Sequence, residues 1–283
     1  PGSTTGSWSE LTSARSGSNS YTFGWRVSMS QDGNVLIKGP SGTDNPISTF
    51  IWSTDQWVSS GDIAARASGT YLLDNAINVA GTICVVGGHK YDSDKGYIAA
   101  YKYSKATTET DGTWEILGDY IDITETDGST LKWWGEDVCI NDAGDIIAAV
   151  AIGDGTNVTY DLIKAYKYST PGVLGGTWTQ LGSDIDGEAS GDNSGWSVAM
   201  SSDGTRIAIG APYNDGVNGT DSGHVRVYDY DPTKTTAVTD QNSSTFGPIG
   251  WNRVGGDIEG ENTNDYSGYS VAMNNSGTRI AIG

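Results

Sequence analysis

The chain has 283 residues, in which 40 glycines, 10 tryptophans and 15 tyrosines stand beside only 3 methionines and 3 phenylalanines. The formal net charge is −19, from 35 acidic and 16 basic residues, and this disfavours a nucleic-acid partner because phosphate contacts need a basic surface. No run of about 20 apolar residues occurs, so we expect no insertion into a membrane.

Short β-forming segments on either side of a glycine-containing turn recur along the chain. Glycine suits such a turn because it reaches positive φ without steric cost. The pattern therefore predicts at least two antiparallel strands in each copy. The turn glycines of five copies are, in chain order, Gly33, Gly81, Gly144, Gly204 and Gly277.

The fourth copy shows the repeat most clearly. Segments 178–210 and 251–283 align without a gap at an offset of 73 (251 − 178), and twelve of their last sixteen positions are identical. Four antiparallel strands per unit of about 40–50 residues are typical of a propeller blade, whereas sandwiches do not repeat one motif every four strands. In this copy the predicted strands are Trp196–Met200, Arg206–Gly210, His224–Tyr230 and a fourth that begins at Trp251.

The sequence thus predicts an all-β protein: a β-propeller of four-stranded antiparallel blades, with about five repeats visible and the last one incomplete. We expect residues 1–283 to form a single propeller domain that is part of a longer chain. Segment 7–12, which resembles an outer strand, is expected to close the ring. The predicted repeat units are approximately 24–60, 72–118, 134–182, 195–255 and 268–283.

The string Gly-Trp-Ser-Val-Ala-Met, then Gly-Thr-Arg-Ile-Ala-Ile-Gly-Ala-Pro, and later Ser222–Tyr228 resembles the FG-GAP repeat family, to which integrin α-chain propellers are related. The resemblance implies a secreted or cell-surface propeller, usually of seven blades, that serves adhesion or ligand binding. Some members carry calcium in an Asp-x-Asp-x-Asp-Gly loop. This chain has no complete copy of that loop, and its nearest matches, our candidates for a Ca²⁺ site, are Asp92, Asp94, Asp215 and Asp221.

Antiparallel strand order places the loops from the fourth strand to the next blade, and from the second strand to the third, at one end of the sheets. Many of these loops are acidic. They favour a face that binds a cation or a polar ligand, since hard cations take carboxylate and carbonyl oxygens. The alternative is that Asp and Asn recur there because they form turns well.

The tryptophans fall into three groups. Those at the start of the fourth strand share one repeat position and are expected to pack between blades: Trp8, Trp57, Trp114, Trp178 and Trp251. Trp25, Trp196 and Tyr269 share a second position at the start of the first strand, near the mouth of the central channel. Trp133 and Trp134 fit no repeat and form either an exposed stacking platform or part of a blade interface. The candidate ligand-binding residues are therefore Trp133, Trp134, Trp196 and Tyr269.

Residues for catalysis are few. His89 and His224 are the two histidines, and neither belongs to a recognisable nucleophile–base or metal-ligand spacing. We therefore predict that the protein is not an enzyme.

Cys84 and Cys139 lie in apolar segments and are expected to be buried thiols rather than a disulfide. Candidate glycosylation sequons at Asn157, Asn218 and Asn242 fit a secreted or cell-surface protein.

The leading functional hypothesis is an extracellular binding or adhesion module that recognises a protein or a glycan through the acidic loop face. The partner would lie on a surface or in a matrix. The alternative is a structural repeat module of a filament, coat or matrix, which would self-assemble without a discrete ligand site. A propeller-scaffold lyase or glycosidase ranks below both, because the scaffold alone does not choose among these functions.

Overall fold

The computed structural model describes residues 26–39, 46–66, 72–88, 95–105, 107, 112–122, 131–132, 134–153 and 161–283, and every regular element in these ranges is a β-strand. No helix in the described part of the chain is long and apolar enough to cross a membrane. The closing strand predicted at 7–12 lies outside the described residues.

The strands form successive antiparallel meanders, which we number as blades in chain order. Blade 1 contains β1 (Val27–Met29), β2 (Val35–Lys38), β3 (Ile47–Ser53) and β4 (Gln56–Ile63). Blade 2 contains β5 (Leu72–Ile77), β6 (Ile83–Gly88), β7 (Tyr97–Ser104), β8 (Thr113–Ile116) and the short β9 (Ile121–Asp122), which pairs with β7.

The later blades repeat the same order. Blade 3 contains β10 (Leu131–Lys132), β11 (Val138–Ile140), β12 (Ile146–Gly153), β13 (Leu162–Tyr168) and β14 (Trp178–Asp186), with both β10 and β11 paired to β12. Blade 4 contains β15 (Ser197–Met200), β16 (Arg206–Ala211), β17 (His224–Tyr230), β18 (Trp251–Arg253) and β19 (Ile258–Glu259), with β19 paired to β17. Blade 5 is described as β20 (Val271–Met273) and β21 (Ile280–Ile282).

Each blade packs face to face on the next. The innermost strands β5, β11, β15 and β20 contact the inner strands of the blade before them, and the outer strands β8 and β18 contact β4 and β14. The core lies between the sheets because each apolar face is buried against its neighbour. Between blades 3 and 4, for example, Val150 and Ile163 join one buried cluster with Ile209 and Trp251.

The tryptophans that open the fourth strands hold adjacent blades together. Each donates its indole N–H to the preceding blade, which satisfies the polar group of a large apolar ring; Trp251 is completely buried, and Trp114 and Trp178 are partly buried. The bonds join Trp114 Nε1 to Thr49 Oγ1 (2.9 Å), Trp178 Nε1 to Leu117 O (2.7 Å) and Trp251 Nε1 to Leu181 O (3.2 Å). The predicted packing between blades is therefore confirmed for these three tryptophans.

The innermost strands are also linked by side chains at one repeat position. In each case an oxygen accepts the backbone N–H of the next blade's first strand, which fixes the register between blades. The acceptors are Asp74 Oδ2 for Val138 N (2.7 Å), Asp137 Oδ2 for Val198 N (2.6 Å) and Ser197 Oγ for Val271 N (3.1 Å).

Both cysteines are free and buried, which confirms the prediction of thiols. Cys84 lies in β6 and Cys139 in β11, on different blades. Burial raises the pKa of each thiol, so both remain protonated and act as small apolar side chains.

Candidate functional site

Three connections of blades 3 to 5 meet at one end of the sheets: 187–196, 212–223 and 254–270, which we call the acidic face. They share this end because strand direction alternates within each blade. Backbone bonds tie the loops together, from Asn264 N to Thr220 O (2.9 Å) and from Tyr266 N to Asp221 O (3.1 Å). A loop surface held by its own backbone bonds is largely preformed for binding.

Four aromatic rings gather on the acidic face, and we call them the aromatic cluster. The ring centroids of Trp196 and Tyr269 lie 5.2 Å apart, and those of Trp196 and Tyr213 lie 6.3 Å apart. Tyr266 extends the cluster, with its centroid 5.4 Å from that of Tyr213. Tyr269 is 51% exposed, and the other three are partly exposed. The cluster therefore offers aromatic surface to solvent.

Polar groups flank the aromatic cluster. Asp192 is buried, and its Oδ2 accepts hydrogen bonds from Asn214 Nδ2 (2.7 Å) and Ala189 N (3.2 Å). Its carbonyl oxygen accepts the backbone N–H of Tyr213 at 3.2 Å. Asp192 thus positions one ring of the cluster. Asp265, which precedes Tyr266 in the chain, accepts the backbone N–H of Asn262 at Oδ2 (2.7 Å).

A buried arginine lies deeper on the same face. Arg226 in β17 donates two hydrogen bonds to Asp257, Nε to Oδ1 (2.7 Å) and Nη2 to Oδ2 (2.8 Å), and a third to Glu188. Arg253 Nη1 contacts Asp257 Oδ1 at 3.0 Å. Because Glu188 follows the last strand of blade 3, the guanidinium joins blades 3 and 4.

Burial and the neighbouring charged groups shift the pKa values of Arg226 and Asp257 in opposite directions. Burial alone would lower the pKa of Arg226, but its hydrogen bonds with Asp257 and Glu188 outweigh this and raise it. Burial would likewise raise the pKa of Asp257, but the Arg226 bonds reverse the effect and leave it lowered. Burial, followed by the Arg226 charge, lowers the pKa of His224. At neutral pH the arginine and aspartate are therefore charged and the imidazole is neutral.

Blade 3 has a related pair. Lys164 Nζ lies 3.3 Å from Asp184 Oδ2, and the offset of 73 between Asp184 and Asp257 is the repeat offset found in the sequence. Each basic residue is the third of its strand, β13 or β17. The repeated acid is therefore paired with a cation of its own blade in both copies.

A pocket of about 400 Å³ lies between β14, β17 and the 231–250 connection. Its lining includes the polar residues Asp184, Glu188 and Arg226 and the apolar residues Phe246 and Pro248. A lining that combines apolar residues with a few polar groups is typical of a small-ligand site.

The predicted aromatic site is only partly reproduced. Trp196 and Tyr269 come together as their shared repeat position suggested. Trp134 does not form an exposed platform: it is completely buried, with Nε1 donating to Ile121 O at 3.0 Å. Its burial matches the alternative of a blade interface, and Trp133 lies outside the described residues. Tyr213 was missed in the sequence because its loop lies outside the aligned repeat.

The predicted calcium residues do not form a cluster in the described chain. Asp215 Oδ1 accepts the N–H of Asp221 at 3.0 Å, as a turn-forming aspartate does. Asp92 and Asp94 lie outside the described residues. Within the described ranges, the group of histidine and carboxylate side chains close enough to hold a metal is Glu188, His224 and Asp257. Calcium binding remains a prediction.

The sequons also differ in their surroundings. Asn218 is exposed, but its Nδ2 donates to Gly260 O at 2.7 Å, while Asn242 is exposed in the 231–250 connection. Asn157 lies outside the described residues. Glycosylation at all three stays a prediction.

Comparison with known proteins defines the class. Residues 184–228 match the family model described as FG-GAP repeat, which confirms the resemblance noted in the sequence. No curated protein sequence matches the chain. The protein is thus a β-propeller that carries an FG-GAP repeat.

Solved structures share this fold at low identity. Hydrazine synthase of Kuenenia stuttgartiensis is 15% identical, with a TM-score of 0.55 over 90% of this chain and 70% of that one. The periplasmic gluconolactonase PpgL of Pseudomonas aeruginosa is 13% identical (TM-score 0.52; 90% and 55%). A Bacteroides uniformis protein described as a candidate 6-phosphogluconolactonase is 11% identical (TM-score 0.53; 90% and 56%).

These neighbours correct one prediction. Two of the three are described as lactonases, so this fold carries enzymes, and the prediction that the protein is not an enzyme is wrong. The inference failed because it rested on the absence of familiar catalytic spacings, whereas a propeller assembles its sites from several blades. At this identity the likeness shows the fold alone, since one fold hosts many functions.

Proposed function

We propose that the protein is a glycan-binding module whose site is the aromatic cluster on the acidic face. The observation that carries the proposal is the grouping of Trp196, Tyr213, Tyr266 and Tyr269, with Tyr269 half exposed. One face of a sugar ring presents C–H groups that pack on an aromatic ring, and its hydroxyls hydrogen-bond to nearby polar groups. A partly exposed aromatic group flanked by polar side chains suits both needs.

The charge of the protein narrows the ligand class. With a formal net charge of −19 and acids in all three loops of the face, a polyanionic glycan would be repelled. The proposal is therefore a neutral glycan. Because no charge on the ligand is involved, its binding should change little with ionic strength.

An extracellular setting belongs to the same proposal. Glycans recognised as separate ligands occur on cell surfaces and in matrices, and the exposed sequon at Asn242 is compatible with secretion. The partner is then a glycan of a surface or matrix.

Isothermal titration calorimetry with cello-oligosaccharides and N-acetylchito-oligosaccharides tests the proposal. We expect saturable binding to one of the two series, lost on Trp196→Ala and Tyr269→Ala. Val217→Ala is the matched control, because Val217 is an 84% exposed apolar residue of the same face outside the aromatic cluster. Unchanged binding in both aromatic variants, or no binding of either series, would overturn the proposal.

Because the fold also carries enzymes, the same sugars should be analysed for turnover. Chromatography of the sugars after prolonged incubation distinguishes binding alone from cleavage. Products whose formation needs Trp196 and Tyr269 would show that the bound glycan is also the substrate of an enzyme at the same site.

A further inference from the structure

Three side chains converge beneath the acidic face, apart from the aromatic cluster. Glu188, His224 and Asp257 each offer one ligand atom, and these atoms all lie within 4.8 Å of one another. They come from separate parts of the chain: Glu188 follows β14, His224 begins β17 and Asp257 lies between β18 and β19. A divalent cation is the kind of ligand that such a convergence of nitrogen and oxygen donors can hold.

His224 is the nitrogen donor of the group. It is 3% exposed, and a ring nitrogen lies within 4.8 Å of a carboxylate oxygen of both Glu188 and Asp257. A buried imidazole that faces two carboxylates in this way can coordinate a metal ion together with them.

The carboxylates keep room for a further ligand despite their arginine contacts. Asp257 accepts three hydrogen bonds, two from Arg226 and one from Arg253. Glu188 accepts one from Arg226 on Oε1, and Asn214 Nδ2 reaches its Oε2 at 3.4 Å. An ionised carboxylate has about four lone-pair sites, so Asp257 retains one and Glu188 retains two. The guanidiniums hold both groups in place, as outer partners of metal ligands do, although their charge weakens the attraction for a cation.

We propose that Glu188, His224 and Asp257 form a binding site for a divalent transition-metal ion, with Zn²⁺ as the best match. One imidazole nitrogen and two carboxylate oxygens are ligands that Zn²⁺ accepts, whereas Ca²⁺ prefers oxygen ligands alone. Three protein ligands would leave a coordination position open for water or a small molecule. This site is separate from the aromatic cluster and from the calcium candidates Asp215 and Asp221.

Titration calorimetry of chelator-treated full-length protein with ZnCl₂ tests the assignment. We expect one site in the wild type, and binding weakened at least about tenfold in His224→Gln and in Glu188→Gln. Glu188 has a side chain 35% exposed, and glutamine keeps the oxygen that Arg226 needs, so this variant should fold. His89→Gln is the matched control, since the chain has 2 histidines, and it should bind like the wild type.

A spectroscopic measurement identifies the ligand directly. In protein carrying ¹⁵N-labelled histidine, Zn²⁺ should shift the ring signals that disappear in His224→Gln, and Ca²⁺ at the same concentration should leave them in place. The proposal is overturned if the wild type does not bind Zn²⁺, if binding survives in both His224→Gln and Glu188→Gln, or if His89→Gln removes it.

Discussion

Arg226 and Arg206 both contact an aspartate through two nitrogens, but their surroundings differ. The Arg226 side chain is 8% exposed and its partner Asp257 20%, whereas the values for Arg206 and Asp229 are 28% and 40%. Removing one member of a buried pair leaves the other charge without compensation, while an exposed pair is solvated by water. The two ion pairs have similar geometry, but breaking the Arg226–Asp257 pair should cost more stability than breaking the Arg206–Asp229 pair.

Arg226→Ala should lower the free energy of unfolding by about 3 kcal/mol, because it leaves Glu188 and Asp257 without their buried partner. Arg206→Ala is the matched control on the same blade and should cost less than about 1 kcal/mol. Urea unfolding at neutral pH measures both. Equal losses in the two variants would show that burial does not set the strength of these contacts.

Asp137 and Asp74 form a buried acid pair between blades 2 and 3. Burial, followed by the neighbouring Asp74, raises the pKa of Asp137 well above 3.8, and the nearby Arg26 offsets only part of this. Arg26 Nε lies 3.4 Å from Asp74 Oδ1, so one cation faces two acids. Asp137 therefore holds a proton in the folded protein at pH values where it is ionised in the unfolded chain.

This linkage predicts the direction of a pH effect. A raised folded-state pKa means that the folded protein binds the proton more tightly, so the contribution of Asp137 to stability is present below about pH 4 and is lost as the pH rises through the folded pKa. Asp137→Asn mimics the protonated form and can still accept the N–H of Val198. Relative to the wild type, its unfolding free energy should increase by up to about 1.4 kcal/mol per pH unit across that range.

Urea unfolding between pH 4 and pH 9 measures the effect. Asp203→Asn is the control: hydrogen bonds from Thr205 and Ser201 lower the pKa of Asp203, so its contribution is lost only as the pH falls below about 4, and its difference from the wild type should stay constant over this range. A constant difference between Asp137→Asn and the wild type over this range would contradict the linkage.

In blades 2 to 5, the turn between the first and second strands contacts the preceding blade. A methyl group on its glycine would lie within 2.6–3.1 Å of the residue that begins the second strand of the preceding blade. The glycine is thus needed both for its positive φ and for close approach. The contacts are Gly81 with Val35, Gly144 with Ile83, Gly204 with Ile146 and Gly277 with Arg206.

Gly204→Ala should lower the free energy of unfolding by about 3 kcal/mol, from the strain of a positive φ and from overpacking against Ile146. Gly172 has a similar φ of +67°, but nothing lies within 4 Å of an added methyl group. Gly172→Ala should therefore cost only about 1 kcal/mol. Chemical denaturation of both variants separates the two effects, and equal costs would show that the contact between blades does not contribute.

Elements with strong periodicity were predictable from the sequence. The third strand of blade 4 was predicted at His224–Tyr230 and is found there, and the second was predicted to end at Gly210 and ends at Ala211. The third strand alternates polar and apolar residues and the second is a short apolar run, and both lie between clear turns, so the pattern defines them. β19 was not predicted, because it consists of Ile258 and Glu259 alone and depends on pairing with the free end of β17.

At the scale of the molecule, the repeat was sufficient to predict the propeller but not its site. Tyr213 joins the aromatic cluster from a loop outside the aligned repeat, and Tyr266 stands where the preceding copy has Asn193. Arg226 meets Glu188 and Asp257 from positions 38 and 31 residues away. Such contacts depend on how one blade is placed against the next, which a repeat pattern in a single sequence does not contain.

Hydrogen–deuterium exchange with and without the oligosaccharide series that binds tests the proposed glycan site, because it locates the ligand on the fold. Binding at the aromatic cluster predicts slower exchange in 187–196, 212–223 and 254–270, and unchanged exchange in the turns 202–204 and 275–277 at the opposite end. Protection confined to those turns, or no protection while the sugar is bound, would contradict a glycan site on the acidic face.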